Sequence, residues 1–308
     1  MEIALQFVLL ALGFVMLGKG ADWFVEGAAG IAMRFGIPQL VIGLTIVAMG
    51  TSAPEAAVSI AAAVKGNADI TIGNIVGSNI LNILVILGLA ASIVPIAVAR
   101  STVRIEIPFM IGVTALLFYQ GRDSSISLAD GGVLMVAFAA YMMYLYTMAM
   151  KSNVDSDLEE PGLPLGRCLL GAVGGLALII AGSNVTVGAA TSIATYAGLS
   201  ERFIGLTIVA LGTSLPELFT SVAAARRGNA DIAIGNIVGS NIFNILFVVG
   251  LSSLIIDIPF ASAFNFDTYV ALGAAVLLWL CVLRTQRLQR WAGALMLVCY
   301  AAYLGYIL

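Results

Sequence analysis

The sequence predicts an all-α polytopic membrane protein, with ten transmembrane helices arranged as two inverted five-helix repeats. Three observations carry that reading. The composition holds too little charge to cover a water-facing surface. Ten apolar runs have spanning length. An internal duplication puts five of those runs, an odd number, in each copy.

Of 308 residues, 61% are hydrophobic and 10% charged, with a mean hydropathy of +1.06; a soluble domain carries about 25% charged residues. A net charge of −3 argues against a nucleic-acid partner, and no feature marks an obligate protein partner beyond the lipid bilayer. Cys168, Cys281 and Cys299 are odd in number, dispersed and set in apolar runs, so they read as packing residues, not a metal motif or disulfide framework. Histidine is absent, which excludes Ser/His and Cys/His hydrolases and any His-based proton relay. An enzyme is not expected, nor is a cofactor. The first apolar run follows Glu2 and lacks a clear small-residue cleavage site, and so reads as a retained span.

Breaks at polar residues give expected spans at 3–30, 38–64, 70–92, 105–120, 128–150, 166–192, 201–225, 232–255, 268–284 and 291–307. The first and sixth are long and Gly/Ala-rich, which predicts tilt. The segment from Gly43 to Leu89 recurs from Gly205 to Leu251, without a gap, at 34 of 47 positions. The division is then an N-terminal repeat at 1–150 (motif 43–89), a short cytoplasmic linker at 151–165, and a C-terminal repeat at 166–308 (motif 205–251). Five spans per copy invert the second copy relative to the first. The Lys and Arg residues agree: alternating loops put Lys19, Arg34, Arg100, Arg104, Lys151, Arg167, Arg226, Arg227, Arg284, Arg287 and Arg290 on one side, against Lys65, Arg122 and Arg202 on the other. The positive-inside rule assigns the richer side to the cytoplasm and both termini to the outside. Small size and the lack of a targeting segment point to a prokaryotic inner membrane.

Glu55 and Glu217 fall in mid-span at equivalent positions of the two copies, where a carboxylate costs at least a few kcal/mol and is normally functional. Pro54 and Pro216 stand beside them, lacking the N–H that would bond the carbonyls of Gly50 and Gly212, so each span should kink or unwind near the bilayer midplane. Helical spacing puts Thr51, Glu55 and Ser59 on one face, with Thr213, Glu217 and Ser221 as the second copy. In the next helix of each copy Asn74, Ser78 and Asn82 share a face, as do Asn236, Ser240 and Asn244. These hard oxygen donors suit Na+ or Ca2+ and exclude soft-ligand metals. Ser59, Ser221, Asn79 and Asn241, and still more Asn74 and Asn236, are also open to a role as interhelical hydrogen-bonding groups. "GNAD" at 66–69 and 228–231 reads as a turn in which Asp69 and Asp231 cap the following helix. Gly73 with Gly77, and Gly235 with Gly239, read as close-packing faces.

The paired motifs "GTSAPE…GNIVGSNILN" and "GTSLPE…GNIVGSNIFN" closely resemble the cation/Ca2+ exchanger superfamily, especially its prokaryotic sodium/calcium exchangers. The resemblance covers essentially the whole chain. It implies four cation sites clustered between the halves and an antiporter exchanging Na+ for Ca2+, with those ions as its partners. By that likeness Glu55 and Glu217 are the central ligands. Thr51, Ser52, Thr213 and Ser214 would add hydroxyl or carbonyl oxygens, Ala48 and Ala210 backbone carbonyls, and Ser78, Asn82, Ser240 and Asn244 would complete the cluster. Some relatives carry Asp at one of the two positions where this chain has Asn82 and Asn244, so its cluster holds one formal charge fewer than theirs. The same scaffold would serve an antiporter using H+ or K+. A cation channel would need a continuous pore lining, and an intramembrane protease a catalytic acid pair that two glutamates beside prolines match poorly.

Overall fold

A computed structural model describes residues 2–66, 68–152, 163–198 and 210–307. The structure is helical, as the apolar runs demand in a medium without water to satisfy the backbone. In chain order it has α1 (Glu2–Arg34), α2 (Gln39–Thr51) and α3 (Ala53–Val64). Next comes α4, which runs from Asp69–Leu81 through a π-helical turn at Asn82–Leu87 to Gly88–Ile93. It is followed by α5 (Thr102–Asp123), α6 (Leu128–Ser152) and α7 (Leu165–Tyr196). The last five are α8 (Ala210–Thr213), α9 (Leu215–Arg226), α10 (Ala230–Ile255), α11 (Ala263–Leu283) and α12 (Arg290–Ile307). Among the described residues eight helices are long and apolar enough to cross a membrane, and the bent pair α2–α3 makes a ninth span. The expected seventh span lies partly outside the described residues, at 201–209, as does most of the expected linker, at 153–162.

The proline expectation is sharpened. The helix does not kink around Pro54; it stops at Ser52 (φ −83°, ψ 6°) and restarts, bent by 51°. Ser214 (φ −91°, ψ 4°) does the same between α8 and α9. Each proline occupies the first turn of the restarted helix, where no N–H is needed and its fixed φ is already helical.

Three expectations are corrected. Asp231 lies inside the first turn of α10, whose N-cap is Asn229 without a side-chain cap bond; likewise the helix preceded by Ala68 begins at Asp69. Gly66 (φ 79°) and Gly228 (φ 80°) make the turn themselves, leaving Asp231 in the first turn at the positive end of the helix dipole. Lys19 is not in a loop: α1 runs unbroken through it, because nothing there interrupts the helix, and its long side chain reaches a cleft shared with Asp22, Arg226 and Arg227. Gly235 and Gly239 do pack closely, against Gly43, Leu44 and Ala48, and Gly73 meets Phe264, but Gly77 has no described atom near enough for packing.

The two copies interlace. Helices α1 and α7 run antiparallel in contact along most of their length, since Gly13 meets Gly182, Gly20 meets Gly175, and Gly27 meets Gly171 and Ala172. At Gly27 a Cβ would strike the backbone of Cys168 and Ala172, and at Gly175 that of Phe24, so only glycine permits this approach. Elsewhere α4 packs on α12 through Gly88 and Gly293, while α10 packs on α6 through Gly250, Ser253 and Gly131. Two-residue strands not expected from the sequence stitch the loops in the same crossed manner: β1 (Ile96–Ala97) pairs with β4 (Arg287–Leu288), and β2 (Ser125–Ile126) with β3 (Ile258–Pro259).

Candidate cation site

The breaks at Ser52 and Ser214 turn the motif residues inward. Glu55 and Glu217 are each 1% exposed, at the starts of α3 and α9. Each carboxylate accepts a hydrogen bond from the serine of the other copy: Ser52 Oγ donates to Glu217 Oε1 at 2.8 Å, and Ser214 Oγ donates to Glu55 Oε1 at 3.2 Å. This crossing brings the acids together between the two halves. The second oxygen of each, Oε2, has no partner.

The flanking helices supply the rest. Asn82 and Asn244 open the π-helical turns of α4 and α10, where the widened ladder shifts the side-chain register. Asn82 donates its amide hydrogen to Asn241 Oδ1 at 3.0 Å, and Asn244 donates to Asn79 Oδ1 at 3.1 Å. Asn79 and Asn241 in turn donate to each other's backbone carbonyls, at 3.2 and 3.4 Å. With both amide nitrogens engaged, Asn82 Oδ1 and Asn244 Oδ1 are left buried and unpartnered. A buried oxygen without a donor is costly; here four recur in symmetry-related pairs.

Around them, Thr51 Oγ1 donates to Asn236 Oδ1 at 3.0 Å and reaches the Ala48 carbonyl at 3.3 Å, and Ser240 Oγ donates to the same carbonyl at 3.4 Å. Ser78 is buried one helical turn before Asn82. Thr213 is half-buried, whereas its counterpart Thr51 is fully buried. Ala210 opens α8 and contributes backbone only to what is described there. Asn74 and Asn236 donate to Ser59 Oγ and Ser221 Oγ, both at 2.9 Å, and so tie α4 to α3 and α10 to α9. Of the sequence-predicted residues, Ser52 and Ser214 bond the two acids directly, Thr51 and Ser240 meet at the Ala48 carbonyl, and Asn82 and Asn244 bond across the copies to Asn241 and Asn79.

One contributor was not legible in the sequence. Ser183 of α7 donates to the Gly212 carbonyl at 2.7 Å, occupying one of the two carbonyls expected to be bare. Asn79 and Asn241, open to an interhelical role from the sequence, take it here and orient the amides of Asn244 and Asn82.

The arrangement is a buried, hard-oxygen cage with two carboxyl groups and no described basic side chain among its hydrogen-bond partners. It fits cations of one or two charges.

Comparison with known proteins agrees. The sodium/calcium exchanger protein family model matches residues 5–147 and 168–308. The sodium/calcium exchanger MaX1 of Methanosarcina acetivorans is 33% identical over 98% of both chains. Inner membrane protein YrbG of Escherichia coli is 40% identical over 80% of this chain and 79% of its own length. A solved structure of the sodium-calcium exchanger NCX_Mj, soaked with zero Na+ and Ca2+, superposes with a TM-score of 0.87 at 33% identity, covering 99% of this chain and 100% of that one. The chain is a multi-pass membrane protein of the sodium/calcium exchanger family, an antiporter and not an enzyme.

Proposed function

We propose that the chain exchanges Na+ for Ca2+ by alternating access, with both ions held in turn by Glu55 and Glu217 inside the oxygen cage. The observation that carries this is the set of four buried, unpartnered oxygens: Oε2 of Glu55 and Glu217, Oδ1 of Asn82 and Asn244. Two ionised glutamates balance one Ca2+, and Na+ competes for the same oxygens. An empty cage would hold two like charges in a low dielectric, which suppresses movement without cargo. Thr51, Ser52, Thr213, Ser214, Ser78, Ser240 and the carbonyls of Ala48 and Ala210 complete the ligand set.

The architecture we propose is ten spans in two inverted repeats, residues 1–150 and 166–308 joined by a cytoplasmic linker at 151–165, with both termini extracytoplasmic. The antiparallel α1–α7 pair and the crossed hydrogen bonds support the inversion. Helices α1 and α7 are the proposed movers, sliding against the cage-bearing core. The inner membrane is the proposed location, supported by the name of the Escherichia coli relative.

The test is Ca2+ uptake into proteoliposomes driven by an outward Na+ gradient. Uptake should collapse in both Glu55→Gln and Glu217→Gln, with the fold retained. Normal transport by both variants, or uptake driven equally by a pH gradient without Na+, overturns the reading.

A further inference from the structure

Away from the cage, an open groove of about 540 Å³ runs between α1 and α9. At one end the rings of Phe14 and Phe219 lie with centroids 6.1 Å apart. At the other, Arg227 bonds Asp22 at 3.1 Å and Glu26 at 3.2 Å. The two helices therefore run in the same direction along the groove. Its first end is apolar, lined by Phe14, Val15, Phe219 and Val222, and its second is basic, lined by Lys19 and Arg226. Gly18 lies between them, and a Cβ there would meet no atom within 4 Å, so this stretch of α1 stays uncovered.

Depth in the bilayer gives the two ends different surroundings. Arg226 stands nine residues after the mid-span Glu217, about 14 Å along a helix that rises 1.5 Å per residue. That is roughly the half-thickness of a hydrocarbon core. Phe219 and Phe14 thus lie among acyl chains, while Lys19 and Arg226 lie at headgroup level. Trp23, 53% exposed and next to Asp22, is an aromatic residue of the kind found at that level.

Charge selects the occupant. Arg227 is engaged by Asp22 and Glu26, whereas among the described residues neither Lys19 nor Arg226 has an ion pair, and both are exposed. Three basic and two acidic side chains leave this end with one positive charge in excess. A small soluble anion would leave the apolar length bare, and a zwitterionic lipid would bring a second cation to the basic end.

We propose that the α1–α9 groove binds one anionic phospholipid, with its phosphate at Lys19 and Arg226 and an acyl chain along Phe14, Val15, Phe219 and Val222. The bound lipid spans the same two helices that Arg227 clasps. The other copy has no such groove end: at the positions 162 residues away stand Ala181 and Val64.

The experiment uses the full chain in dodecyl maltoside and follows thermal unfolding as dioleoyl phosphatidylglycerol or dioleoyl phosphatidylcholine is added. A bound ligand stabilises the folded chain by mass action, so phosphatidylglycerol should raise Tm saturably and beyond any rise from phosphatidylcholine. K19Q/R226Q should raise the phosphatidylglycerol concentration at half-effect by about 30-fold, the worth of two basic residues at a membrane surface. G18L fills the groove without touching a charge and should weaken the effect as well. K65Q/R122Q removes exposed basic residues elsewhere and should leave it unchanged. Should K19Q/R226Q fail to fold, G18L decides. An equal rise with phosphatidylcholine or with inorganic phosphate alone overturns the proposal. So does an effect unchanged in K19Q/R226Q or in G18L, or one lost equally in K65Q/R122Q. No transport is read, so failure of the exchanger mechanism does not decide this test.

Discussion

The two copies meet at two interfaces of opposite character. The inner one, between α2–α4 and α8–α10, is built from side-chain amides, hydroxyls and carboxyls whose hydrogen bonds cross from one copy to the other. The outer one, between α1 and α7, brings backbone against backbone through glycines. Directional bonds hold one geometry, because each oxygen has a specified donor. A glycine seam offers no knobs to lock its register, so sliding along it breaks few specific contacts. On the proposed mechanism, the directional bonds lie where cargo is recognised and the glycine seam where helices move.

The sharpest way to break this contrast is to remove charge from the cage. Glu55→Gln or Glu217→Gln should each lower Na+-driven Ca2+ uptake by at least about 100-fold, since an uncompensated change at a buried charge costs about 3–5 kcal/mol. Unequal loss would show that the copies do not share the load. The seam comes next. Gly27→Val should destabilise by roughly 1–3 kcal/mol through overpacking and slow transport further by jamming α1 against α7, as measured by thermal unfolding and initial uptake rates. Gly18→Ala, with no described atom close enough to clash, should be near neutral and is the matching control. Asn241→Ala frees the amide of Asn82 and should weaken the apparent Ca2+ affinity by a few-fold, with a stability loss of about 1–3 kcal/mol from unpaired groups, read from the Ca2+ dependence of uptake and a melting curve. Arg227→Ala comes last. Its bonds to Asp22 at 3.1 Å and Glu26 at 3.2 Å join α1 to the turn after α9 but are half-exposed, so stability should fall by less than about 1 kcal/mol. A larger change in uptake rate than in melting temperature would show that this clasp acts on movement.

Much of the cage was legible because duplication doubles every signal. A lone Glu55 in an apolar run is open to several readings; its recurrence as Glu217, each beside a proline and a hydroxyl, is not. What periodicity cannot convey is which copy a side chain serves. Ser52 sits three residues before Glu55 yet donates to Glu217, because the break at Ser52 turns its hydroxyl away from its own helix. The π-helical turns at Asn82 and Asn244 were equally silent: nothing in their composition separates them from ordinary helix. The Asp69 and Asp231 caps failed for a simpler reason. Gly66 and Gly228 take the left-handed conformation and finish the turn before the acids are reached.

The crossed strands carry a consequence for biogenesis. Ile96 pairs with Leu288 and Ile126 with Ile258, so the N-terminal copy emerges from the ribosome with both of its strand edges unmatched. Its Gly88 groove also waits for Gly293, near the end of the chain. Assembly therefore completes only when the last helix is inserted, and a chain truncated before α12 would be exposed to membrane quality control rather than surviving as a half-transporter.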